Sequence, residues 1–184
     1  MAEITLPARL DGVEPVRSIR VPASIHYRYT AGEASSKFLR EVAKKRLVGQ
    51  QCPLCKKVYV PPRGCCPTDG VPTTDEVELK DTGTITSFCI VNVPFMQNLM
   101  EIPYVGALIL LDGSDLPIMH LIQEIPADQV VPGMRVEAVW VPDDELGPTM
   151  ESIKWFRPTG EPDVGVHIPG EDRPLWLDSE EFNK

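Results

Sequence analysis

Histidine is scarce in this chain, long apolar runs are missing, and positive charge is the minority sign. The three histidines, His26, His120 and His167, lie far apart in the 184 residues, so none forms a local catalytic or metal-binding pair. There is no serine-centred nucleophile elbow, no phosphate-cradling glycine loop and no paired-carboxylate signature. Catalysis by this chain alone is therefore not expected. No stretch approaches the ~20 apolar residues of a membrane span, and no basic-then-apolar leader opens the sequence, so the expected compartment is the cytoplasm. Eighteen Lys and Arg against twenty-seven Asp and Glu leave a net charge of −9. A protein whose main work is holding nucleic-acid phosphates would show the opposite sign.

Proline and clustered cysteine are what the chain has in excess. Nineteen prolines are about twice the usual ~5% share and favour short strands and extended arms over long helices. Four of the five cysteines fall within fifteen residues, which is not a secreted disulfide framework. They sit in Cys52-Pro53-Leu54-Cys55 and, after nine intervening residues, Cys65-Cys66-Pro67-Thr68-Asp69-Gly70. Two short turns that each place two donors three positions apart are how a zinc ribbon closes a tetrahedral site. The first reading is a structural zinc held by Cys52, Cys55, Cys66 and Asp69. Cys65 is the alternative donor in the second turn, and a decayed, metal-free knuckle is the third reading. A carboxylate is a harder donor than a thiolate and should loosen the grip on zinc.

Residues 1–34 read as an extended arm with a strand near 18–21, and Thr30-Ala31-Gly32-Glu33 has capping-box spacing. Residues 35–46 carry Phe38, Leu39, Val42 and Ala43 at helical intervals, a spacing that Leu47 continues, opposite a basic face. Helix and ribbon together take residues 35–75. Beyond them, alternating segments at 84–93 and from 133, a nearly continuous apolar run at 104–111, and segments at 116–125 and 151–157 predict five short strands, with a short helix between Pro126 and Pro132. In the first of these, Ile85, Ser87, Cys89, Val91 and Val93 are expected on one face. Five short, Gly-punctuated strands over residues 76–158 suggest a small barrel of the OB type. Residues 159–184 read as an extended tail. The predicted fold is mainly β: an N-terminal helix, a rubredoxin-like zinc ribbon, a five-stranded OB-fold barrel, and extended N- and C-terminal arms.

The same order of elements resembles the acyl-CoA-associated zinc-ribbon/OB-fold family (domain of unknown function thirty-five) over residues 35–158. The residues that carry the likeness are Cys52-Pro53-Leu54-Cys55, Val60-Pro61-Pro62-Arg63 and Cys66-Pro67, then Thr82-Gly83-Thr84, Pro103-Tyr104, Leu111-Asp112-Gly113 and Gly133-Met134-Arg135-Val136. Asp69 stands where that family usually has a fourth cysteine. The resemblance implies a non-catalytic accessory subunit of a thiolase-superfamily enzyme, either a thiolase or a steroid side-chain aldolase. Such a subunit would assemble the complex in lipid degradation and help hold the CoA thioester. The alternative is a free-standing module that binds single-stranded nucleic acid or CoA, since both folds serve such roles elsewhere. A zinc enzyme acting by Lewis-acid chemistry would need an open coordination position, and four protein donors leave none.

Two further sets of residues are candidates for binding. Lys37, Arg40, Lys44, Lys45 and Arg46, with Arg63 at the ribbon, could seat the CoA phosphates. The bland reading of that face is a solvated helix with Glu41 and Lys45 as an ordinary i, i+4 pair. The connection between the first two barrel strands offers Phe95, Met96, Leu99, Met100 and Ile102, and the tail offers Trp176 and Phe182. These apolar residues are expected to contact the partner or the acyl group. His120, between Met119 and Leu121, reads as a satisfied core or interface histidine.

Overall fold

The structure, a computed structural model, describes residues 12, 25–28, 30–93 and 100–165. The expected strand at 18–21, and Phe95, Met96, Leu99, His167, Trp176 and Phe182, lie outside the described residues. The chain divides into two units, Met1–Thr30 and Ala31–Lys184. In the first, Ile25 and Tyr27 are exposed.

Helix α1 spans Glu33–Val42 and buries Phe38 and Val42, the i and i+4 positions of its apolar stripe. The capping-box expectation fails. Gly32 is the N-cap and no side chain caps the helix, so Glu33 is the first helical residue and not the third. The expected run to residue 46 also stops early. Lys45 turns the chain with φ 58°, and Leu47, whose spacing fits the helix, opens strand β1 (Leu47–Gln51). β1 is the centre of a three-stranded antiparallel sheet, flanked by β2 (Val58–Tyr59) and β3 (Asp75–Leu79).

The second sheet is a closed barrel of β4 (Thr82–Val91), β5 (Tyr104–Leu111), β6 (Ile118–Ile122), β7 (Arg135–Trp140) and β8 (Ile153–Pro158), in the order β4-β5-β6-β8-β7. All neighbours are antiparallel except β6 and β8, and β7 closes onto β4 through Thr82–Glu137, Gly83–Val136 and Thr84–Arg135. This is the five-stranded order of the OB barrel. Its interior holds Ile85, Val105, Ile109, Leu111, Val136 and Phe156, and the core runs on without a break into Phe38 and Val42 of α1. A 3₁₀ turn at Ala127–Gln129 fills the crossing where a short helix was expected.

One face assignment is corrected. The β4–β5 register shifts between Ile85 and Ser87, and this bulge reverses the in-out phase. Ile85 is fully buried while Ser87 and Cys89 are exposed, and Phe88 packs on the core instead. The ribbon is fixed to the barrel by the turn between β5 and β6. The Asp115 carboxylate accepts from Val58 N–H (2.8 Å), and Asp115 N–H donates to Val58 carbonyl (3.0 Å). Leu116 then packs on Cys52, Tyr59 and Cys66.

Candidate functional site

The two cysteine turns are near copies of each other. In the first, Cys52 N–H donates to Lys57 carbonyl, Lys56 N–H returns to Cys52 carbonyl, and Leu54 N–H points at Cys52 Sγ. In the second, Cys66 N–H donates to Val71 carbonyl, Gly70 N–H returns to Cys66 carbonyl, and Asp69 N–H points at Cys66 Sγ. The residue after each second donor is left-handed, Lys56 at φ 62° and Gly70 at φ 67°. That turn aims both donors of a knuckle inward, and the glycine makes it without strain in the second copy.

Donor atoms of Cys52, Cys55, Cys66 and Asp69 all lie within 4.8 Å of one another. Cys55 Sγ and Cys66 Sγ are 3.7 Å apart, and a tetrahedral metal with ~2.3 Å bonds to sulfur would set them at ~3.8 Å. Asp69 Oδ2 lies 3.2 Å from Cys52 Sγ and 3.3 Å from Cys66 Sγ, also the spacing of one shared centre. Cys65 is exposed and its backbone bridges Pro72, away from the cluster. The donor set fits zinc, and the cofactor is a structural zinc ion that crosslinks the two turns.

Negative charge in the cluster rests first on Asp69. Hydrogen bonds from Cys55, Cys52 and Cys66 hold its carboxyl below the ordinary value. The Lys57 N–H draws the Cys55 thiol down, but the Asp69 carboxylate, burial and the other thiols outweigh it and push that thiol up to about 11. Burial pushes Cys66 up, yet the Tyr59 phenol and the Asp69 and Thr68 N–H groups bring it below its ordinary value. Tyr59 is buried with its hydroxyl 3.2 Å from Cys66 Sγ. It thus braces one ligand from behind, a contact the sequence did not disclose. A divalent cation at this centre draws the thiol protons off.

The basic residues are mostly engaged. Lys37 pairs with Glu33, Lys44 with Glu41, Lys45 with Asp143, and Arg46 with both Glu41 and Glu78. The expected Glu41–Lys45 pair does not form, because the left-handed turn at Lys45 carries it off the helix face. Among the described residues Arg40 and Arg63 have no ion-pair partner. Arg40, with Lys37, Lys44, Gln50 and Pro62, borders a cleft of about 150 Å³ between α1 and β1.

Two further places on the barrel surface stand out. Ile90, Val93 and Ile102 are exposed at the end where β4 connects to β5, and Met100 is half-buried beside them in the chain. A larger hollow of about 640 Å³ lies over β5 and β6, bordered among others by Cys89, Gly106, Met119 and His120. Cys89 and His120 share that hollow, yet no hydrogen bond joins them. The His120 ring stands edge-on to Phe156 with centroids 5.5 Å apart, and burial lowers its pKa while backbone contacts oppose. Its Nδ1 accepts from Leu121 N–H (2.9 Å). Among the described residues no helix is long and apolar enough to cross a membrane.

Fold and site define a zinc-ribbon module fused to an OB-fold barrel. Comparison with known families gives the same two parts in the same order: the ChsH2 rubredoxin-like zinc ribbon domain matches residues 40–75, and the ChsH2 C-terminal OB-fold domain matches 76–141. The chain belongs to the DUF35 family. It is 33% identical over 95 residues to a DUF35 domain-containing scaffold protein of Methanocaldococcus jannaschii, covering 51% of this chain and 67% of that protein. It is also 35% identical over 122 residues to a probable enoyl-CoA hydratase alpha subunit of Thermomonospora curvata. That match covers 66% of this chain but only 36% of the relative, so the chain spans about a third of that protein's length. Among solved structures it is similar to a chain of the Ltp2-ChsH2(DUF35) aldolase, with 29% identity and TM-score 0.54 over 71% of this chain and 98% of that one. A DUF35 protein of unknown function from Sulfolobus solfataricus shares the fold, with 20% identity and TM-score 0.52 over 69% of this chain and 84% of that one.

Proposed function

We propose that this chain is a non-catalytic partner subunit of an enzyme of acyl-CoA metabolism, an aldolase or another thiolase-superfamily enzyme. It contributes to assembly of the complex and to holding the CoA substrate. The observation that carries this reading is the likeness, over nearly the whole of the matched chain, to the DUF35 chain of an aldolase complex. The chemistry then belongs to the partner. In this chain the zinc bound by Cys52, Cys55, Cys66 and Asp69 crosslinks the ribbon, and the ribbon is locked to the barrel through Asp115. The partner meets the apolar end of the barrel at Val93, Met100 and Ile102, together with Phe95, Met96 and Leu99 of the same connection and Trp176 and Phe182 of the tail. Of the six candidate cations Lys37, Arg40, Lys44, Lys45, Arg46 and Arg63, Arg40 and Arg63 are the two without an ion pair among the described residues, and they meet the CoA phosphates.

The rival reading, a single-strand nucleic-acid module, needs cations available beside aromatic rings. Arg135 and Arg157 are instead tied to Asp112, Glu161, Glu137 and Glu124, which leaves Lys154, over the Trp155 ring, as a single such cation on the described strands and not a row of them.

The test is copurification of tagged protein from native extract, followed by assay of the recovered enzyme on CoA thioesters with and without this chain. A thiolase-superfamily enzyme whose turnover depends on the added chain is expected. The Val93→Asp/Ile102→Asp double variant should lose that enzyme while keeping its zinc and its circular dichroism. Turnover of acyl-CoA by the isolated chain would overturn the reading, as would recovery of no such enzyme.

A further inference from the structure

Gly106 lies in the middle of β5, paired with Cys89 of β4 on one side and Leu121 of β6 on the other. A glycine inside a strand weakens it, and usually marks a bulge, a strained backbone or a close approach. None of these applies. Its backbone is outside the left-handed region, the ladder on both sides is regular, and an added Cβ would meet only Cys89 Sγ at an ordinary 3.8 Å. What the missing side chain does leave is space, since Gly106 borders the 640 Å³ hollow on the outer face of the barrel.

The walls of the hollow are mostly apolar, with Tyr104, Met119 and Met150 prominent, and Met119 is 75% exposed. Past Leu121 and Lys154 the hollow meets a second one of about 420 Å³ that reaches Met100 and Trp155. Lys154 stands at the junction with its ammonium 4.4 Å from the Trp155 ring centroid. It has no carboxylate partner among the described residues, although Glu151 borders the first hollow and Glu101 the second. The surface is therefore an elongated groove, apolar along its length, with one unpaired cation partway. Its size is that of a small-molecule site. A backbone floor lets a chain or flat ring lie against the sheet, and the Lys154 ammonium, a hydrogen-bond donor, complements a ligand that turns polar at that point, as an acyl chain does at its thioester carbonyl.

We propose that this groove seats the apolar acyl group of a CoA thioester, with Gly106 as its floor and Lys154 where the polar arm of the substrate departs. The inference rests on the CoA-subunit reading above and adds to it which part of the substrate this chain holds.

Gly106→Leu is the discriminating variant, because the new side chain points into the groove and not into the core. Full-length protein is titrated with decanoyl-CoA and acetyl-CoA, following tryptophan fluorescence beside the groove. Wild type should bind decanoyl-CoA more tightly than acetyl-CoA. Gly106→Leu should lose about tenfold or more of the decanoyl-CoA affinity while barely changing acetyl-CoA, with zinc content and thermal melt retained. Met150→Trp, which enlarges another lining residue of the groove, should do the same and serves if the leucine variant fails to fold. Equal binding of decanoyl-CoA by wild type and both variants overturns the inference, as does a wild type that does not distinguish the two thioesters. If the variants instead lose the partner enzyme with acyl selectivity unchanged, the groove is a protein-docking face and the inference is wrong. The underlying reading falls only if no acyl-CoA enzyme assembles with the wild-type chain at all.

Discussion

Replacing Arg135 by methionine should loosen the barrel at its closing seam. The guanidinium donates to both oxygens of Asp112 (2.7 and 2.6 Å), to Thr84 Oγ1 (2.9 Å) and to Glu161 (3.2 Å), and the Thr82 hydroxyl bonds the same Asp112. The group ties β7 to the start of β4 and to the residue after β5, where the sheet curls onto itself. Arg135 holds the Asp112 carboxyl at about 2 against an ordinary 3.8, with burial opposing. At ~1.4 kcal/mol per tenfold change that gap is worth about 2 kcal/mol. The Asp112 side chain is 32% exposed, so solvent screening brings the share down to about 1–2 kcal/mol. Leaving a partly buried carboxylate unpaired adds to the loss, for about 2–3 kcal/mol in all. In a unit of this size that lowers Tm by roughly 4–12 °C.

The pH dependence has a definite sign. A carboxyl whose folded pKa is depressed contributes its full stability above its unfolded value near 4, and loses it as pH falls through about 2. The gap in Tm between wild type and Arg135→Met should therefore be widest at neutral pH and shrink between about pH 4 and pH 2. Thermal melts by circular dichroism at several pH values read this directly. A variant that melts with wild type at pH 7, or a gap that stays constant down to pH 2, would mean that the Arg135–Asp112 pair does not hold the seam.

Two other outcomes are expected. Gly83→Ala should cost several kcal/mol in urea unfolding, about 2–4, because the new Cβ would lie 2.6 Å from Leu110 carbonyl and 3.0 Å from Ile109 Cγ2 in the facing strand; an unchanged midpoint would mean that β4 and β5 can move apart freely. Elemental analysis should find one zinc per chain, Asp69→Cys should hold it longer against a chelator, and Cys65→Ser should leave release unchanged. Faster loss from Cys65→Ser would move the fourth ligand to that cysteine.

Much of this protein was legible from local spacing. Cys-x-x-Cys and Cys-x-x-Asp-Gly each fold as a knuckle through contacts within six residues, so the sequence alone located both halves of the zinc site. The same holds for the buried stripe of α1 at Phe38 and Val42, and for the alternation that places Val136 inside and Arg135 outside. In each case the deciding partners are neighbours in the chain.

The misreadings occurred where the deciding partner is distant. Leu47 has helical spacing, but it pairs with Leu79 in β3, and that gain ends the helix. The alternation of β4 is correct on each side of residue 86 and wrong across it, because a bulge is set by register with β5. Nothing in the segment from Cys65 to Asp69 separates its two candidate donors; the bridge to Pro72 turns Cys65 outward and leaves Asp69 facing the sulfurs. The Tyr59 contact on Cys66, the Asp115 clamp and the hollow over Gly106 each join elements far apart in sequence. A local pattern specifies which residues form an element, whereas burial, register and the meeting of charges depend on which elements the closed fold brings together.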